Sequence, residues 1–220
     1  MNPTARSTPP AMRSAGRVKP LGLGLGALAL LALLLIGLSQ LSTRSRSSGT
    51  ARSRLTLAQM QAHLAGSPAP LAALHAQAGR LLPGGGSALH SRLASLHGRP
   101  VVINKWASWC GPCVAEFGAF QRASIDLGRE VAFIGINSGD SSHADALAFL
   151  RSTPVSYPSY YDASGSLGTA VTDSSSMPVT VFYDRAGGEF IHQGPYTGIV
   201  KLEQDVRRYA LDPGGRRAHA

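Results

Sequence analysis

Two cysteines, Cys110 and Cys113, stand at the junction of a strand-like and a helix-like segment, and they are the only two in the chain. Upstream, Val101–Trp106 opens on Val-Val-Ile, a β-branched run that suits a buried strand. Downstream, Cys110–Leu127 carries Phe117, Phe120 and Ile125 among its apolar positions and reads as a helix. A Cys-x-x-Cys pair placed there can close a small disulfide ring across one helical turn. Its first sulfur sits at the helix N-terminus, where unpaired N–H groups and the positive dipole end favour a thiolate. Pro112 is tolerated in that first turn, whose N–H groups have no helical partner anyway. Gly111 is expected to keep the turn uncrowded beside the exposed sulfur. The spacing suits a reversible dithiol–disulfide pair that carries electrons without a separate cofactor.

Competing chemistries lack their residues. A structural zinc site needs four ligands, yet no second cysteine pair exists and the seven histidines show no H-x₃₋₅-H spacing. No metal is therefore expected. A thiol peroxidase would need a cysteine in a PxxxTxxC context, which the chain does not have.

The segments around this junction alternate. Leu55–Leu64, Leu71–Leu82 and Ala88–Leu96 have helical apolar spacing and are separated by Gly/Pro-rich breaks. Val131–Ile136 reads as a strand, Ala144–Arg151 as a helix, Ser159–Tyr161 as a short strand and Ser164–Val171 as a short helix. Val179–Tyr183 and Glu189–His192 form a hairpin across Arg185-Ala186-Gly187-Gly188, and Val200–Leu211 closes the chain as a helix. The pattern predicts an α/β fold, a central mixed sheet flanked by helices.

Ahead of this lies Leu21–Leu41, an uncharged apolar run of 21 residues. As a helix it would be ~31 Å long, close to the hydrocarbon thickness of a bilayer, and only a helix can cross there as a single segment. A cleaved signal peptide is the alternative reading. Against it stand the long basic leader and the poor small-x-small match at Gly37-Leu38-Ser39. The net charge of +9 has a matching distribution. Residues 1–54 hold eight Lys/Arg and no acid, residues 68–212 hold eleven Lys/Arg against twelve Asp/Glu, and Arg216 and Arg217 lie in the tail. A nucleic-acid reader would carry its charge on the folded module, so no nucleic-acid partner is expected. The resulting division is a basic segment 1–20, which the dithiol chemistry implied below places in the cytoplasm, a transmembrane anchor 21–41, a flexible stalk 42–67, the α/β domain 68–212 and a disordered tail 213–220. Basic residues flank the apolar run equally, four on each side, so charge does not orient it.

The segment Asn104-Lys105-Trp106-Ala107-Ser108-Trp109-Cys110-Gly111-Pro112-Cys113 resembles the active-site segment of the thioredoxin superfamily. The resemblance is to its membrane-tethered bacterial branch of TlpA, ResA and DsbE-like proteins, and covers roughly residues 68–212. Asn104 stands where that branch commonly has Asn, Glu116 matches a carboxylate often placed near the cysteine pair, and Met177-Pro178 matches the family's cis-proline. Gly194 matches a late glycine of the fold. Trp109 is read as packing that can also face a partner. For Glu116 two readings stand side by side, a proton carrier for Cys113 and an exposed acid at a helix start. Asn104 is either part of the site or a structural amide. Lys105 departs from a commonly aromatic position, its stem expected to pack while its ammonium reaches the rim. Met177 is an uncommon residue before the proline.

The resemblance implies a thioredoxin-like fold and a dithiol cycle. Cys110 attacks a substrate disulfide, and Cys113 resolves the mixed disulfide with help from Glu116. It also implies an extracytoplasmic domain on a single-pass anchor in the cell membrane. Its partners would be exported disulfide proteins such as apocytochrome c, with a CcdA-type membrane electron donor. The alternatives are an oxidant or isomerase of secreted proteins, and a non-catalytic adaptor that uses the same groove.

Overall fold

The computed structural model describes residues 55–83 and 85–212. Helices α1 (Leu57–His63) and α2 (Ala69–His75) lead into strand β1 (Leu81–Pro83) and helix α3 (Gly86–Ser95). Then follow β2 (Val101–Trp106), α4 (Gly111–Asp126), β3 (Ala132–Ser138), α5 (His143–Ser152), β4 (Ser159–Asp162) and α6 (Ser166–Thr172). The chain closes with the β5 (Val179–Tyr183) and β6 (Glu189–Gln193) hairpin and α7 (Ile199–Asp205), which continues as a π-helical turn Val206–Leu211.

The six strands form one sheet in the order β1-β4-β3-β2-β5-β6. The first four are parallel to one another, while β5 and β6 are each antiparallel to their neighbours. Parallel neighbours require crossovers, and α4 and α5 supply them for β2–β3 and β3–β4. Alternate side chains then feed two cores. Val102, Trp106, Phe133 and Phe182 pack with Phe117, Phe120, Leu150, Leu202 and Val206 on one face. Val101, Ile103, Ile134 and Val181 pack with Leu71, Leu74, Leu89 and Leu167 on the other. Both faces are covered, which is why β2 and β3 are buried at every position and read as unbroken strands. This is the expected thioredoxin-like α/β fold, with mixed sheet and flanking helices.

Two boundaries differ from the sequence reading. The expected helix Leu71–Leu82 ends at His75, and Leu81 pairs instead with Ser159 of β4. Gly79 turns the chain with φ +66°, and its N–H donates to the Tyr157 carbonyl, which draws the next residues alongside β4. The expected stalk 42–67 is corrected as well, because its residues 55–67 are folded. Thr56 and Gln59 form a reciprocal cap that starts α1, and Met60 and Leu64 are buried. Residues 42–54, the anchor 21–41, the leader 1–20 and the tail 213–220 lie outside the described residues. Among the described residues no helix is long and apolar enough to cross a membrane.

Candidate active site

The end of β2 sets the site. After Trp106 the chain turns through Ala107–Trp109, and Cys110 becomes the N-cap of α4. The two cysteines form a disulfide, with an S–S distance of 2.00 Å and Cα atoms 5.2 Å apart. The Cys113 N–H donates to Cys110 Sγ at 3.2 Å, an ordinary capping bond made by sulfur. Cys110 is 6% exposed and Cys113 fully buried, so a partner reaches Cys110 first. Pro112 occupies the first turn as expected. Gly111 needs a different account. A Cβ there would meet nothing within 4 Å, so crowding inside the chain does not call for glycine.

The turn before Cys110 is held by a residue that sequence reasoning missed. The buried Asp140 carboxylate accepts from the Ser108 N–H at 2.8 Å, Ser108 Oγ at 2.7 Å and Asn137 Nδ2 at 2.5 Å. The Trp109 indole N–H donates to the Gly139 carbonyl at 3.1 Å, while 63% of the residue stays exposed. Trp109 thus stands as a fixed apolar surface next to Cys110. The only trace of Asp140 in the sequence is an acid in the polar run Asn137-Ser138-Gly139-Asp140, in which β3 ends.

A buried carboxyl stands on the same helix as the cysteine pair. Glu116 follows Cys113 by three residues on α4, so the two share a helix face. It is fully buried, which excludes the exposed-acid reading. Asn104 Nδ2 on β2 donates to Oε1 at 2.6 Å, and the Tyr196 N–H donates to Oε2 at 3.0 Å. Burial raises its pKa from 4.5 to about 7, against the two donors, which pull it down. Asn104 is thus joined to the cysteine-bearing helix through Glu116. Tyr196, which nothing in the local sequence marks, anchors the carboxylate with its backbone. Its ring lies edge-on to Phe120, and its hydroxyl donates to Asp205 at 2.9 Å. Tyr157 lies near enough for the Glu116 charge to add to burial in raising its pKa. His192 on β6 stacks on Tyr196, with ring centroids 4.3 Å apart.

The antiparallel pairing of β5 with β2 brings Met177-Pro178 to the same sheet end as the cysteine turn. The bond between them is cis. Met177 packs against the core cluster that contains both cysteines, and the Pro178 carbonyl accepts the Gly194 N–H at 3.0 Å. Gly194 has φ +96°, a conformation glycine adopts readily. Lys105 corrects an expectation. Its ammonium does not reach the rim but is buried on the opposite sheet face, donating to the Ser174 carbonyl at 2.6 Å. Cys110, Cys113, Glu116, Asn104, Trp109, Gly111, Pro112, Met177 and Pro178 thus gather at one end of the sheet. Together they offer an accessible sulfur, a sealed second sulfur and a carboxyl able to exchange a proton near neutral pH.

A family model described as Redoxin matches residues 65–190. The chain is 29% identical to the thioredoxin-like protein YneN of Bacillus subtilis over 124 residues, 56% of this chain and 70% of that one. It is 29% identical to the thiol-disulfide oxidoreductase ResA of Oceanobacillus iheyensis over 113 residues, 51% of this chain and 58% of that one. Among solved structures, the DsbF homologue of Corynebacterium diphtheriae is 26% identical, with a TM-score of 0.45, over 52% of this chain and 74% of that one.

Proposed function

The chain belongs to the redoxin family, and from that premise we propose that it is a membrane-tethered, extracytoplasmic thiol-disulfide oxidoreductase. In this reading it reduces disulfides of exported proteins, apocytochrome c among them, and a CcdA-type membrane protein re-reduces it. The observation that carries the reading is the asymmetric Cys110–Cys113 disulfide at the start of α4, one sulfur reachable and the other sealed beside a buried carboxyl. The name of the ResA relative, a thiol-disulfide oxidoreductase, supports the thiol–disulfide chemistry. The apolar run Leu21–Leu41 supports the tether, and exchange with oxidised partners supports placing residues 42–220 outside.

The cycle starts from the dithiol. The Cys110 thiolate, at the positive end of α4, attacks one sulfur of the substrate disulfide. The S–S bond of the substrate breaks, a Cys110–substrate disulfide forms, and one substrate thiolate leaves. Cys113 loses its proton and attacks Cys110 Sγ. The Cys110–Cys113 bond forms, and the second substrate thiolate departs. Two electrons have passed to the substrate, whose thiolates take up two protons. Glu116, with its pKa near 7, takes the Cys113 proton and returns it through the next reduction. Trp109 and Met177 flank the approach, and the backbone at Pro178 aligns the partner chain as an added extended segment.

The test is the reduction potential of the full chain in detergent, by equilibration with glutathione or a thioredoxin of known poise. A value near or below about −250 mV is expected for a donor to extracytoplasmic disulfides. A value of about −120 to −180 mV would make the chain an oxidant or isomerase and overturn the reductase reading.

A further inference from the structure

Lys105 carries an ammonium on β2, a strand buried at every position, and only 1% of the residue is exposed. Burial lowers its pKa, while the negative charge of Asp162 pulls the other way. A buried cation persists only where charge and hydrogen bonds compensate it. Asp162 is itself fixed, accepting from the Gly168 N–H at 2.8 Å and from Ser138 Oγ at 3.2 Å. Gly168 lets α6 press on the lysine stem, since a Cβ there would come within 2.9 Å of Lys105 Cε. The ammonium therefore lies buried just past the C-terminal end of α6, where it donates to the Ser174 carbonyl at 2.6 Å.

Ser174 lies where the chain needs holding. It follows Asp173, a non-glycine residue at φ +48°, and opens the irregular stretch that runs to Met177-Pro178. The same carbonyl lies 3.0 Å from Thr172 Oγ1, and Ser174 Oγ accepts the Ser176 N–H at 3.1 Å. Lys105 shares the sheet face of Val101 and Ile103, opposite the core that contains both cysteines. Its leverage is on the approach segment and not on the sulfurs. Resting on the disulfide-exchange reading above, we propose that Lys105 is a positioning residue for partner recognition. Its buried ammonium pins Ser174 and so fixes where residues 174–177 present Met177 to an incoming protein disulfide.

The test compares full-length wild type, Lys105→Met and Lys105→Arg in detergent. Insulin is the protein disulfide, with dithiothreitol as electron source, and 5,5′-dithiobis(2-nitrobenzoate) is the small disulfide, mixed with the pre-reduced chain after the dithiothreitol has been removed. Lys105→Met is expected to raise KM for insulin about tenfold at little-changed kcat, the effect of losing one charged hydrogen bond. The rate with the small disulfide and the reduction potential should stay at wild-type values, and Lys105→Arg should recover most of the insulin KM. Amide hydrogen exchange reads the pin without turnover. Residues 174–177 should exchange faster in Lys105→Met, with Val179–Tyr183 unchanged. If Lys105→Met does not fold, Lys105→Gln takes its place in every measurement. An unchanged insulin KM, or unchanged exchange at 174–177, overturns the proposal. So does a variant in which potential and small-disulfide rate move together with KM, because Lys105 would then act on the sulfurs. A wild type that reduces neither substrate defeats the exchange chemistry instead, and the hydrogen-exchange comparison still decides whether Lys105 pins the segment.

Discussion

Glu116 should give the chain a pH dependence whose sign follows from its burial. Its pKa rises from 4.5 to about 7 on folding. Between those values the folded chain keeps a proton that the unfolded chain has released. Stability from this group therefore falls as pH rises through the window, and the loss is complete above about pH 7. The full effect is of order 3 kcal/mol. His75 and His192, whose pKa values burial lowers, act in the opposite sense below pH 6.5, so the difference between variant and wild type is the quantity to read. Glu116→Gln is expected to gain stability relative to wild type as pH rises from 4.5 to 7, measured by urea unfolding of the oxidised chain. Parallel profiles would mean that the carboxyl does not titrate there. The sequence places Glu116 on the Cys113 face of α4, because three-residue spacing is a local property. It could not supply the donors, which come from Asn104 on β2 and from Tyr196, 80 residues further on. Asp140 and the Lys105–Ser174 bond were hidden for the same reason. Each joins residues that only the closed sheet brings together.

At the scale of elements, β3 runs under a bond that none of its own side chains makes. Trp106 on β2 donates its indole N–H to Ser159 Oγ on β4 at 3.1 Å, and both residues flank β3. The bond crosses over Gly135. A Cβ there would run into Ser159 Oγ and come within 3.0 Å of Trp106 Nε1. Gly135→Ala should break this bond or displace a central strand, at a cost of about 2–3 kcal/mol. Urea unfolding should show a lower midpoint at unchanged m-value, and an unchanged midpoint would show that the sheet absorbs a methyl group there. The sequence does make β3 legible as a strand, since β-branched and aromatic residues surround the glycine. The need for glycine is not legible, because it depends on which strands lie to either side. The short β1 escaped for a related reason. Leu81 and Leu82 fit helical spacing as well as a strand, and their pairing with Ser159 and Tyr160 decides between them.

For the molecule as a whole, the folded body takes in the residues before Pro68. Gly66-Ser67-Pro68-Ala69-Pro70 reads as the end of a linker because glycine and proline punctuate both linkers and helix starts. Here it is a helix junction: Pro68 is the N-cap of α2 and Pro70 lies in its first turn. The residues before it belong to the body. Met60 is fully buried and Leu64 nearly so, and Leu64 lies so close to Gly128 that a Cβ there would come within 2.9 Å of Leu64 Cδ2. Gly79 meets Leu57 in the same way, its Cβ position 3.2 Å from Leu57 Cδ2. Removing α1 would therefore expose the end of α4 and the turn before β1, and would forfeit two buried side chains at roughly 1.5–3 kcal/mol each. A chain beginning at Leu55 should unfold at the same temperature as a chain carrying the preceding residues. A chain beginning at Pro68 should melt about 10 °C lower, since about 2–4 °C accompanies each kcal/mol in a domain of this size. Calorimetry of the oxidised forms separates the cases. Equal melting temperatures for the Leu55 and Pro68 chains would place residues 55–67 outside the cooperative body. A drop confined to the Pro68 chain would make α1 the first element of the redox domain and leave residues 42–54 as the stretch between it and Leu41.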